Sequence, residues 1–170
     1  EAGGLPVKPF YMYALTREGR KPPMVHVRQS IYSLLEPKKK KGNVVNLLGF
    51  FSPLVDDCEL YDLLHGAGVK TIHEISRCKD YEEYQTMSQA NFNLVLHPEA
   101  RFAAEDFHDR LKIPFVELRR LYQTDKIENQ YRALGQVLGV SFDQEVYKKA
   151  AEEAVERFRE VCPDASFAVG

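Results

Sequence analysis

A chain of 170 residues, 44% apolar and 28% charged, has the size and composition of one globular domain able to bury a core without staples. A net charge of −2 excludes a general attraction to nucleic acid or anionic membrane, and no stretch approaches the roughly 18 apolar residues of a membrane helix. The start, Glu1-Ala2-Gly3-Gly4, lacks the basic and apolar regions of a signal peptide, and three scattered cysteines without a CxxC pair argue against a disulfide framework, so a cytoplasmic setting is expected.

In chain order, Val7 to Leu15 reads as a strand, and Val25 to Leu35 as a helix with Val27, Ile31, Leu34 and Leu35 on its apolar face. Lys38 to Lys41 is a basic run between elements, as expected of a solvated loop. Asn43-Val-Val-Asn-Leu-Leu-Gly49 is a short apolar run closed by glycine, the pattern of a buried strand. Asp56 and Asp57 favour a helix start, Leu60, Leu63 and Leu64 follow at helical spacing, and Gly66 and Gly68 end it. Val69 to Ile75 is the second strand. Asp80 is a fitting N-cap for a helix through Tyr81, Tyr84 and Met87. Phe92 to Leu96 is the third strand, and Pro98 opens a helix carrying Phe102, Phe107 and Leu111. Ile113 to Leu118 is the fourth strand, with Pro114 at its start, where a missing donor is tolerated. Lys126 to Leu138 is a helix presenting Ile127, Tyr131, Leu134 and Leu138, ended by Gly139. Phe142 to Cys162 is a long charged helix with Val146, Ala150, Ala154, Phe158 and Val161 as its stripe.

Strands alternating with helices on short connections imply an α/β fold: an open, mostly parallel four-stranded sheet flanked by helices, a three-layer Rossmann-like or flavodoxin-like domain. The expected organisation is an irregular segment over 1–36 whose helix packs on the domain, a parallel core over 37–140, a linker helix over 141–165 and the opening strand of a further domain over 166–170.

Open parallel sheets bind ligands beyond the carboxyl ends of their strands. That rim carries Gly49, Phe51 and Ser52 after the first strand, Ser76, Arg77 and Cys78 after the second, His97 after the third, and Arg119, Arg120 and Tyr122 after the fourth. A thiol, an imidazole and several guanidiniums on one edge suit an anionic ligand or a metal cofactor bearing carboxylates. Each residue also has a plainer reading. His97 caps the helix at Pro98, Cys78 is a passive loop thiol, and the arginines are solvated or meet a neighbouring domain. His65, His73 and His108 read as structural, and Cys58 and Cys162 as packing residues. There is no Walker A loop, no GxSxG elbow, no GxGxxG after Gly49, and no carboxylate pair, since Glu82 and Glu83 point to different helix faces.

The order of motifs resembles the middle domain of nitrogenase component 1-type proteins, including the cofactor-assembly scaffolds of that family. Asn43 to Gly49 is similar to a strand ending in "NIIG" or "AIIG". Glu59-Leu-Tyr-Asp-Leu-Leu-His-Gly-Ala-Gly-Val69 is similar to "LLEELGI", Ala90-Asn-Phe-Asn-Leu-Val-Leu-His97 to "AKLNLV" with its functional loop, and Arg110-Leu-Lys-Ile-Pro114 to "EKYGIP". The likeness runs from about Leu34 to the end. It implies an oxidoreductase of several similar α/β domains, with an iron–sulfur or related metallocluster between domains or subunits. It also implies a homologous subunit and an iron protein that supplies electrons at the expense of ATP. Matching "NLVHC" to Asn93-Leu-Val-Leu-His97 sets His97 where the family's cofactor cysteine stands, and Ser76-Arg77-Cys78 replaces the "SGD" loop. The resemblance thus makes His97 and Cys78 the candidate metal ligands, and Gly49, Phe51, Ser76, Arg77 and Arg119 candidate contacts to a cofactor or its carboxylate. The family's first-domain cysteines would precede residue 1, so this chain alone is expected to bind no cluster and to be inactive. The alternative is a non-enzymatic module binding a metal or tetrapyrrole, of the chelatase-like or helical-backbone receptor type, because similar folds serve many functions.

Overall fold

In the computed structural model, residues 4, 6–9 and 22–165 are described. The strand expected over Val7–Leu15 lies mostly outside them, and the strand expected over 166–170 lies wholly outside them.

Strand burial follows apolar content. β1 (Val44–Leu48) is buried along its whole length, its four apolar residues flanking the buried amide of Asn46. β2 (Thr71–Glu74) and β4 (Phe115–Glu117) are mostly half-buried, and β3 (Phe92–Val95) is buried at all but its first residue. The sheet order is β2-β1-β3-β4 with every pair parallel, so the two most apolar strands are central. The register sets Asn46 beside Asn93, whose amides bond across the strands (Nδ2 to Oδ1, 2.7 Å) deep in the core.

The helices begin and end for local reasons. α1 (Pro23–Tyr32) has proline at its first position. α2 (Glu59–Gly66) ends through Gly68 at φ +88°, and the N–H of Val69 returns to the carbonyl of Leu64 (3.0 Å). The aspartates expected to open it stand apart from its first turn: Cys58 is the capping position, without a side-chain cap. Asp80 does cap α3 (Tyr81–Gln85). Its Oδ1 accepts from the N–H of Glu83 (2.7 Å), while the Glu83 carboxylate accepts from the N–H of Lys79 (2.8 Å), one residue before the cap. A 3₁₀ turn, Thr86–Gln89, extends it. Another, Pro98–Ala100, opens α4 (Arg101–Leu111).

The chain divides into two compact units, Glu1–Arg120 and Leu121–Gly170. In the first, Tyr32, Leu48, Met87, Val95, Phe107 and Ile113 form one core cluster, with Tyr32 edge-on to Phe107 at 5.3 Å. The second holds α5 (Thr124–Leu138) and α6 (Glu145–Val161). Tyr131 and Leu134 of α5 are buried, and Tyr131 meets Phe142 edge-on at 6.2 Å. The stripe of α6 is different: no residue of that helix is buried.

Of the face expected for α1, Leu35 is buried in the core cluster just beyond the helix, Ile31 and Leu34 pack against that cluster, and Val27 is partly covered; within the helix the buried residues are Val25, Arg28 and Tyr32. An arginine can lie inward there because each of its three nitrogens donates a hydrogen bond.

Candidate functional site

The strand order fixes where a ligand site can form. From β1 the chain crosses to β2 on one side and later returns to β3 on the other, so the topological switch lies between the carboxyl ends of β1 and β3. A cleft of about 510 Å³ opens beside that point. Phe50 lines it from the end of β1, His97 and Pro98 from the end of β3, and Glu117, Arg119 and Arg120 from the end of β4.

Gly49 sets the closeness of the two central strand ends. Its φ is +142°, and a Cβ there would lie 2.7 Å from the backbone nitrogen of His97. Only glycine lets the loop after β1 pass so near β3. Arg28 then fixes that loop. It donates twice to the carbonyl of Gly49 (3.0 and 2.7 Å), once to the carbonyl of Met24 (3.2 Å) and once to Glu99 Oε2 (2.7 Å). Its guanidinium also lies over the Phe51 ring at 5.0 Å. Arg28 is 6% exposed, so this is a buried charge held between α1, the loop after β1 and the turn before α4. Sequence reasoning passed over it. The signal was an arginine in step with Val25, Tyr32 and Leu35, whose burial only a bonding partner elsewhere could explain.

His97 occupies the N-cap before Pro98, and its Nδ1 accepts from the N–H of Glu99 (3.3 Å). An accepting Nδ1 carries no proton, so a neutral ring keeps its proton on Nε2. The ring stands edge-on to Phe50 at 5.6 Å, and Arg120 sits over the Phe50 ring at 5.8 Å. Glu117 pairs with Arg101 (3.3 Å) and Arg119 (3.7 Å). The lining thus holds three arginines and one imidazole against one carboxylate.

The end of β2 is built differently. Glu74 is 6% exposed and accepts from the N–H of Leu54 (2.9 Å), from the Tyr61 hydroxyl and from Arg77 Nε (3.0 Å). Arg77 also reaches the carbonyl of Leu54 (3.0 Å) and Asp56 (2.6 Å), and the bond to Asp56 holds its guanidinium even more firmly protonated. Burial, with the carboxylate of Glu74 alongside, pushes the Tyr61 hydroxyl up to about 12. Cys78 donates to the carbonyl of Glu74 (3.4 Å) and packs on the core cluster, and burial raises its thiol above the usual range. The residues expected on one edge therefore fall into two groups. His97 and Arg119 line the cleft, Gly49 and Phe51 shape the loop beside it, and Arg77 and Cys78 belong to the closed network at β2 beside Ser76. Among the described residues, no group of three or more His, Cys, Asp or Glu side chains is arranged to hold a metal ion.

The structural histidines have local partners. His65 Nδ1 lies 2.9 Å from the carbonyl of Val69, and His73 Nε2 lies 3.4 Å from Thr86 Oγ1.

An all-parallel four-stranded sheet flanked by helices, with a cleft beside the switch point, defines an open α/β domain. Residues 19–165 match the model of the family described as Nitrogenase component 1 type Oxidoreductase, and the chain belongs to that family. No curated protein matches the chain in sequence comparison. Among the described residues no helix is long and apolar enough to cross a membrane.

Proposed function

We propose that this domain forms one wall of a cofactor pocket in a nitrogenase-like oxidoreductase, serving electron-driven reduction or the assembly of the cofactor. The single observation that carries the reading is the cleft at the β1–β3 switch, in a chain of this family, with His97 at its mouth. Family membership favours it over a self-sufficient metal- or tetrapyrrole-binding module. By the same resemblance, other domains of the subunit, a homologous subunit and an ATP-dependent iron protein complete the working assembly in the cytoplasm.

The donors of this chain do not fit a metallocluster by themselves. Among the described residues no three His, Cys, Asp or Glu side chains are grouped to hold a metal ion, and burial raises the thiols of Cys58 and Cys78 above their usual range. Cys78 is also spent on the carbonyl of Glu74. What the cleft offers is hydrogen bonding and positive charge. In this reading Gly49, Phe51 and Arg28 hold the loop after β1, Arg77 keeps the end of β2 closed beside the exposed Ser76, and His97, Arg119 and Arg120 face the cofactor. Its metal ligands come from elsewhere in the assembly.

The test is anaerobic purification of the full-length protein with His97→Ala and Arg120→Ala changes, measuring iron and the cofactor's absorbance per subunit. The reading expects both to fall while the subunit stays folded. Unchanged iron and absorbance in both variants would reject the wall assignment.

A further inference from the structure

We infer that the cleft is a site for an organic carboxylate, in which Arg120 and the Nε2–H of His97 donate, Phe50 and Leu118 hold the ligand's apolar body, and no metal bond forms at His97. The inference deepens the reading above by naming the ligand class, and it rests on that reading only for the choice of cleft.

The tautomer of His97 carries the argument against metal. Ligation through Nε2 needs the ring proton on Nδ1. That proton would then face the N–H of Glu99, which now donates to Nδ1 at 3.3 Å. Glu99 Oε2, held by Arg28 at 2.7 Å, lies 3.8 Å from Nδ1, beyond hydrogen-bond distance. The helix cap thus reserves His97 as a donor through Nε2, which has no partner among the described residues.

Charge says what that donor meets. Glu117 is shared by Arg101 and Arg119, whereas Arg120 has no carboxylate partner among the described residues and only the Phe50 ring against it. Exposed but set beside the apolar lining of Phe50, Val95, Leu96 and Leu118, the planar guanidinium of Arg120 can grip a carboxylate with two N–H groups. Helix starts that hold phosphate do so with free backbone N–H groups. Here the first ones are spent: Pro98 has none, Glu99 donates to His97 Nδ1, and Ala100 donates to the carbonyl of His97 (2.9 Å). Recognition therefore falls to side chains.

The 170-residue chain can be tested directly with 2-naphthoate, citrate, inorganic phosphate and cobalt(II), following the His97 ring nitrogens by NMR and affinity by titration. The proposal expects a protonated Nε2 without ligand, a shift of that resonance on adding naphthoate, and weaker binding of citrate and phosphate. Arg120→Gln should weaken naphthoate by about tenfold, the worth of a charged hydrogen bond. His97→Gln, which keeps an N–H donor, should bind more tightly than His97→Ala. Cobalt broadening of the His97 ring, phosphate binding as tightly as naphthoate, or naphthoate affinity unchanged by Arg120→Gln would each overturn it. Loss of iron from the full-length variants would leave this result untouched, so the two readings fail separately.

Discussion

The two ends of the rim use the same residue types to opposite effect. At β2, an arginine, a buried glutamate, a tyrosine and a cysteine are bonded to one another and to the loop, so their chemistry is used up inside the chain. At β3 and β4, an imidazole nitrogen and a guanidinium are left facing a cleft. The difference teaches that a list of reactive residues at strand ends does not define a site. What counts is which of their donors the fold has already satisfied.

Substitutions can break this contrast. The largest effect is expected at Arg28, which ties the loop after β1 and the turn before α4 to α1. Arg28→Ala leaves Glu99 and the carbonyl of Gly49 without their donor and should cost about 3 to 5 kcal/mol in urea unfolding, the usual cost of breaking a buried pair. Glu74→Ala strips an acceptor from Leu54, Tyr61 and Arg77, and about 1 to 3 kcal/mol should be lost. A smaller effect concerns pH. Burial holds the imidazole of His73 below its ordinary value of 6.5. The unfolded chain therefore takes up a proton there before the folded chain does. Stability from this group is whole above that ordinary value and declines as pH falls through it toward the lower folded value. His73→Gln should flatten the acid limb of a stability–pH curve; an unaltered limb would show that the ring titrates as if exposed. Least of all, Arg120→Ala should shift stability by no more than about 0.5 kcal/mol, because the side chain is exposed and serves no internal bond. A large loss there would place Arg120 with the closed half.

Much of the fold was legible because each strand carries its own apolar run and each turn its own chemistry. Asp80 was readable as a cap, and Gly68 and Gly139 as helix ends, from three or four residues apiece. The strand order was not, since parallel pairing is settled by contacts far apart in sequence. That order divides the rim: β1 separates the end of β2 from the end of β3, and with it Cys78 from His97. Arg28 was missed because a charged residue in an apolar stripe reads as a fault in the pattern until its partners, 21 and 71 residues away, are known. The stripe of α6 shows the reverse limit. Val146 and Val161 are 75% and 80% exposed, so periodicity alone does not tell which apolar faces find cover.

An anaerobic crystal structure of the full-length protein with its cofactor is the most direct measurement. The account predicts cofactor or substrate density against Phe50, with His97 and Arg120 within hydrogen-bond reach of a ligand oxygen and the Glu74–Arg77 network intact. A cofactor metal bonded to Cys78, or ligand density at β2 with the β1–β3 cleft closed by another domain, would contradict it.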